Sequence, residues 1–150
     1  MRFISAPSDG LIILSLGTTV SPEQMPRETL IAVGRALSRL PTFRVVALLE
    51  PSLGKELGMP PNVLCTKPIP QSELLSHPST KLFINHFGGN GVFEAIWNGV
   101  PMVGMLSGAG GDNAEISELV VYHEIGLKID PIPSEDQAWG AFNMVLTSAR

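Results

Sequence analysis

The sequence is poor in the residues that would make several functions possible. Cys65 is the only cysteine in the 150 residues, so an internal disulfide cannot form and a zinc site built on cysteines is excluded. Charged residues make up only 16%, the formal net charge is -4, and Lys and Arg nowhere form a block. This argues against a nucleic-acid groove or an anionic membrane surface as partner, and any phosphate must be held mainly by backbone dipoles. No apolar run approaches the ~20 residues that cross a bilayer, and the stretch from Met1 to Ser5 is far too short for a signal peptide. The chain as given is expected to be soluble. What it does have is 44% hydrophobic residues over the length of one ordinary domain, enough to bury about 68–70% of the surface of its unfolded form.

The sequence carries no internal repeat and no low-complexity tract. Residues 1–10 show no secondary-structure period and read as the remnant of a linker. Leu11 to Leu16 is then a continuous apolar run ended by Gly17, the pattern of a strand covered on both faces. Pro26 to Leu40 places Leu30, Val33, Leu37 and Leu40 at helical spacing between two prolines. Further strands are predicted over Phe43 to Leu49, Val63 to Cys65, Lys81 to Asn85, Pro101 to Met105 and Gly126 to Ile129. Helices are predicted over Gly91 to Asn98, Asp112 to His123, and Ser134 to Leu146 with a capping box at its start. Pro51 to Leu57 reads as loop or short helix, and Ser72 caps a single turn running to Leu75. Strands alternating with helices through short loops predict an α/β domain with a mostly parallel sheet of about six strands.

In such a sheet ligands bind beyond the carboxyl ends of the strands. Three glycine-rich segments fall there: Gly17-Thr18-Thr19, Phe87 to Gly91, and Gly108 to Gly111. Glycines let a ligand approach the backbone, and a helix starting near Asn90 offers free N–H groups and a favourable dipole to an anion. Glu94 follows Asn90 by four residues and shares its face, where a carboxylate can accept hydrogen bonds from ribose hydroxyls. The same clusters also suit plain strand-to-helix turns, and spacing alone leaves both readings open. His77, in a Ser-His-Pro turn, and His123, near a helix end, read as structural. Met102, Met105, Trp97 and Trp139 read as core packing, and Glu115, Glu118 and Glu124 as a solvated helix face.

Ser15-Leu16-Gly17-Thr18, Pro68-Ile69-Pro70-Gln71, Leu74-Leu75, His77-Pro78, Phe83 to His86, Gly88 to Ile96, Gly99 to Met102 and Asp112-Asn113-Ala114 together resemble the C-terminal half of UDP-glucuronosyltransferases, family 1 glycosyltransferases of GT-B fold. Order and spacing hold from about Gly10 to the end. The resemblance implies a Rossmann-like three-layer domain over residues 11–150 that binds a nucleotide-sugar donor, with the acceptor domain absent. No cofactor and no metal are implied. The co-substrate is a UDP-sugar, UDP-glucuronic acid or UDP-glucose. By position, Thr18 faces phosphate, Gln71 the uridine, His86 the diphosphate, Gly88, Asn90 and Gly91 the phosphate-binding turn, and Glu94 the ribose hydroxyls. The catalytic base is expected from an N-terminal acceptor domain, on the same parent chain or a separate subunit, so no catalytic residue is assigned to this half. Homo-oligomer formation is left open. By resemblance the parent protein is anchored in the endoplasmic reticulum membrane with this domain in the lumen.

Three positions depart from the family pattern. Pro68 stands where an aromatic ring usually stacks on uracil. Phe87 replaces the glycine after the histidine, which sets a bulky side chain where backbone should meet the diphosphate and makes any positive φ costlier. Gly108 to Gly111 replaces the Asp-Gln pair that grips the sugar; Asp112 is expected to take the missing acid's place in binding the UDP-sugar if the loop adjusts, and no Gln follows it. These departures suit an alternative, a degenerate non-catalytic GT-B domain acting as an interaction module or subunit. A domain using another nucleotide sugar is a third reading.

Overall fold

The computed structural model describes residues 2–16, 22–106 and 112–148. Strands β1 (Gly10–Leu14), β2 (Phe43–Leu48), β3 (Val63–Thr66), β4 (Thr80–Asn85), β5 (Met102–Met105) and β6 (Gly126–Ile129) alternate with helices α1 (Arg27–Ser38), α2 (Pro51–Glu56), α3 (Gln71–Ser76), α4 (Gly89–Trp97), α5 (Asp112–Tyr122) and α6 (Glu135–Ser148). A short 3-10 turn, Pro22–Gln24, precedes α1 and was not legible in the sequence. The strands form one sheet in the order β3-β2-β1-β4-β5-β6, every pairing parallel. The α/β expectation and the count of six strands both hold.

Both sheet faces are covered, and single strands divide their side chains between them. In β1, Ile12 and Leu14 join one apolar core while Leu11 and Ile13 join the other. The first core is closed by α1 and α6 through Val33, Leu37 and Phe142, and the second by α3, α4 and α5 through Leu75, Val92 and Val120. This two-sided burial is why β1 and β4 read as unbroken apolar runs rather than alternating ones. Phe3 and Ile4, in the segment taken for a linker, pack against the second core, and the Arg44 guanidinium lies over the Phe3 ring.

Several local expectations need correction. Ser72 is not a cap: α3 starts at Gln71 behind Pro70, with no side chain capping it. The segment left as loop or short helix is helix α2, entered through Pro51 at its first turn. Helix α4 begins at Gly89, two residues before the expected start, because φ and ψ at Gly88 already serve the N-cap. Trp97 is 90% exposed rather than core, since α4 buries only Val92 and Ala95 and turns its opposite side outward. Met102 and Met105 are fully buried as expected, and Trp139 is partly buried beneath the Arg39 guanidinium at 4.1 Å. The capping box of α6 is present: Gln137 N–H donates to Ser134 Oγ at 3.1 Å and Ser134 N–H to Gln137 Oε1 at 3.0 Å.

Candidate functional site

The strand order reverses direction between β1 and β4, since β2 and β3 lie to one side and β5 and β6 to the other. At such a switch point the loops leaving adjacent strands run to opposite faces of the sheet and open a crevice. A cleft of about 380 Å³ lies at this position. Gln71, His86, Gly88, Asn90, Gly91 and Glu94 all line it, so six of the eight side chains or glycines singled out in the sequence meet in one place. Thr18 lies outside the described residues, as does the Gly108 to Gly111 segment. Asp112 is the exposed first residue of α5 and is not among the residues lining the cleft.

The cleft wall is made by the junction of β4 and α4. Gly88 is the N-cap of α4 and makes no side-chain cap bond. The first turn, Gly89 to Gly91, therefore presents amide groups that no capping side chain occupies, at the positive end of a helix. The His86 imidazole lies directly over Gly88: a Cβ there would sit 2.6 Å from His86 Cε1 and 2.7 Å from Nε2. His86 is 8% exposed, and its Nδ1 is buried without a hydrogen-bond partner among the described residues. Burial pushes its pKa below the ordinary histidine value of 6.5, so the ring is neutral at neutral pH.

On the opposite wall Gln71, the first residue of α3, donates from Nε2 to Glu94 Oε2 at 3.3 Å. The pair ties α3 to α4 across the cleft and leaves the second carboxylate oxygen of Glu94 for a hydroxyl donor. Pro68 lines the same cleft after a cis peptide bond. Its pyrrolidine ring offers an apolar edge where a flat aromatic face was missed from the sequence.

Phe87 does not stand in the cleft, contrary to expectation. Its φ is +62°, and its ring is completely buried in the second core, against Gly104 of β5. The left-handed backbone sends the side chain into the core and leaves the cleft to its neighbours on either side. Asn85 supports this turn by accepting the Phe87 N–H at Oδ1, 2.8 Å away.

Sequence reasoning missed Ser15 and Asn85 as site residues. Both line the cleft, both are buried, and Ser15 Oγ and Asn85 Nδ2 have no partner among the described residues. The signal was present in the period of two: Ser15 continues the Leu11, Ile13 face of β1, and Asn85 continues the Phe83 face of β4. His77 is structural as expected, its Nδ1 accepting the Ser79 N–H at 3.2 Å. Among the described residues no cluster of three or more His, Cys, Asp or Glu side chains is placed to hold a metal.

A family described as "UDP-glucoronosyl and UDP-glucosyl transferase" matches residues 2–139. UDP-glucuronosyltransferase 2B17 of Rattus norvegicus is 41% identical over 101 residues, which is 67% of this chain and 18% of the rat protein. The chain thus spans less than a fifth of that relative. A UDP-glucose: anthocyanidin 3-O-glucosyltransferase solved in complex with UDP superposes with a TM-score of 0.79 at 25% identity, over 97% of this chain and 33% of that one. Os79 of O. sativa, also solved with UDP, superposes with a TM-score of 0.81 at 22% identity over 97% and 33% of the two chains, a likeness of fold. These neighbours are GT-B glycosyltransferases, so the half-GT-B architecture expected from the sequence holds. With its switch-point cleft, its glycine-led helix and the family match over nearly its whole length, the chain belongs to the UDP-glucuronosyl and UDP-glucosyl transferase family.

Proposed function

We propose that this chain is the donor-binding half of a glycosyltransferase, holding a UDP-sugar whose glucuronosyl or hexosyl group passes to a small lipophilic acceptor. The observation that carries this reading is the convergence, in one switch-point cleft, of an uncapped helix start, a neutral histidine with an unpartnered nitrogen, and a glutamate one turn further on. The first suits an anion, the second donates a single hydrogen bond to it, and the third accepts from vicinal hydroxyls. The two neighbours solved with UDP support it.

The reaction is an inverting displacement at the anomeric carbon. The base that deprotonates the acceptor hydroxyl belongs to an acceptor domain, on the same parent chain or a partner. The role of this half is to hold the donor and to stabilise the departing UDP, through the amides of α4 and His86. Attachment of the parent protein to the endoplasmic reticulum membrane is part of the same proposal. Among the described residues no helix is long and apolar enough to cross a membrane.

The alternative, a non-catalytic module of the same architecture, draws on Pro68, which gives uracil no aromatic face. Phe87 no longer favours it, because its ring leaves the cleft free. Titration of the chain with UDP, followed by amide NMR, decides between them. Donor binding predicts saturable shifts at Gly88 to Gly91 and Glu94; silence at millimolar UDP overturns it.

A further inference from the structure

Helices α4 and α5 lie on the same face of the sheet and leave a groove of about 230 Å³ between them. It meets the cleft only at Gly89. Val92 and Val120 form its buried floor and Phe93, Ile96, Ile116 and Leu119 its walls, with His123 the one polar side chain. Phe93 is 75% and Leu119 57% exposed, and Trp97, one turn beyond Phe93, extends the α4 wall into solvent. The helical period produces this arrangement. Helix α4 turns Val92 and Ala95 toward the sheet, so Phe93, Ile96 and Trp97 fall at i, i+3 and i+4 along the neighbouring side. On α5, Ile116, Leu119 and His123 follow at i, i+3 and i+7. A contiguous apolar patch of this kind on a soluble surface marks an interaction site.

The charge around the groove has one sign. From Leu82 to Leu127 the sequence holds no Lys or Arg, whereas α5 and the turn after it carry Asp112, Glu115, Glu118 and Glu124. Asp112 and Glu115 stand one turn ahead of Ile116 and Leu119, and Glu124 follows His123 at the far end. Lys128 of β6 meets Glu118 and leaves the rim acidic. A second copy of this face would set carboxylates against their equals, and an anionic lipid surface would be repelled. The backbone of each helix is bonded within that helix, so the groove offers side chains alone. Its occupant must satisfy its own N–H and C=O groups, as a helix does.

We propose that the α4–α5 groove receives an amphipathic helix of another polypeptide, with aliphatic side chains at i, i+3 or i+4, and i+7 seated between Phe93 and Leu119, and with Lys or Arg along the edge that faces α5. Apolar burial supplies the affinity, and the α5 carboxylates fix the orientation of the helix. UDP binding plays no part in it.

The 150-residue chain is titrated, under amide NMR, with three synthetic helical peptides of about 18 residues, five turns. One has a leucine stripe flanked by lysines, one has the same stripe flanked by glutamates, and one has the composition of the first with its leucines scattered. The lysine-flanked peptide is expected to saturate, to shift the Trp97 indole N–H and the amides of α4 and α5, and to bind at least tenfold tighter than either of the others at low salt. Its advantage over the glutamate-flanked peptide should shrink as salt is raised. Leu119→Ser is expected to weaken it at least tenfold and Glu115→Lys several-fold, with melting temperatures close to wild type. If Leu119→Ser proves unstable, Phe93→Ser decides in its place. Equal affinity for the three peptides, or none for any, overturns the proposal. Self-association in sedimentation that Leu119→Ser abolishes overturns it too and assigns the groove to a second copy; flotation with phosphatidylcholine vesicles, abolished by the same substitution, overturns it in favour of lipid.

Discussion

The ring of Phe87 occupies the space that a side chain at Gly104 would need: a Cβ on Gly104 would lie 2.2 Å from Phe87 Cε2 and Cζ. Two departures from ordinary usage thereby offset one another, a glycine inside a strand and a bulky residue at positive φ. Holding a non-glycine residue left-handed costs about 1–3 kcal/mol. Burying a phenylalanine ring returns about 1.5–3 kcal/mol, and the bond to Asn85 adds about 0.5–1.5 kcal/mol. The turn is therefore stable with its phenylalanine, and the phenylalanine serves the core rather than the cleft.

Gly104→Ala is expected to lower stability by about 1–3 kcal/mol in urea unfolding, because the ring cannot yield without leaving the core. Phe87→Gly removes about 3–5 kcal/mol of buried ring and regains about 1–3 kcal/mol of strain, for a net loss near ~2 kcal/mol. UDP affinity is expected to hold in Phe87→Gly. A marked gain would mean that the ring obstructs the cleft.

Most of the architecture was legible because buried parallel strands and amphipathic helices write themselves into hydrophobic period. The runs from Leu11 and from Lys81, and the stripe Leu30, Val33, Leu37, placed β1, β4 and α1 to within a few residues. Trp97 misled because helical spacing shows that a face exists, not how much of it is covered. Of the site, Gln71, His86, Gly88, Asn90, Gly91 and Glu94 were found through a motif, and the sheet order then explains why they meet. Phe87 could not be placed from sequence: its direction depends on one backbone dihedral and on a vacancy at Gly104, seventeen residues later in the chain. Ser15 and Asn85 were hidden for a related reason, since an unmet hydrogen bond is a property of surroundings.

Gly88 admits a test of the His86 position. Its φ of -63° is one that alanine adopts freely, so Gly88→Ala leaves the helix start unstrained, yet the new Cβ must displace the imidazole. UDP affinity is expected to fall roughly tenfold or more, as small misplacements at a binding site do, with little change in melting temperature. In a His86→Ala background the same substitution should have no further effect on affinity. Equal losses in both backgrounds would separate Gly88 from the imidazole.

Glu94 is expected to hold the ribose. Hydrogen bonds to a charged group contribute about 1.5–3 kcal/mol, so Glu94→Ala should weaken UDP by about 10- to 150-fold. A UDP analogue lacking both ribose hydroxyls should bind wild type and Glu94→Ala alike. Gln71→Ala, which removes the donor now resting on Glu94 Oε2, should change the affinity for UDP more than that for inorganic pyrophosphate. If the deoxygenated analogue still distinguishes wild type from Glu94→Ala, the carboxylate acts elsewhere than on the hydroxyls.

His86 links both stability and binding to pH. Burial depresses its pKa in the folded chain below the 6.5 of the unfolded one, so under mildly acidic conditions the unfolded chain takes up a proton that the folded chain refuses. Its contribution to stability is complete above 6.5 and is lost as pH falls through the folded value; His86→Gln should flatten that acid limb in denaturant titrations. A diphosphate beside the ring acts in the opposite sense, favouring the imidazolium and raising the pKa in the complex. UDP binding should then take up protons, and affinity should rise as pH is lowered from neutral. Calorimetry in two buffers of different ionisation enthalpy measures the uptake, and His86→Gln subtracts the titration of UDP itself. Equal proton uptake by wild type and His86→Gln would place the diphosphate away from the imidazole.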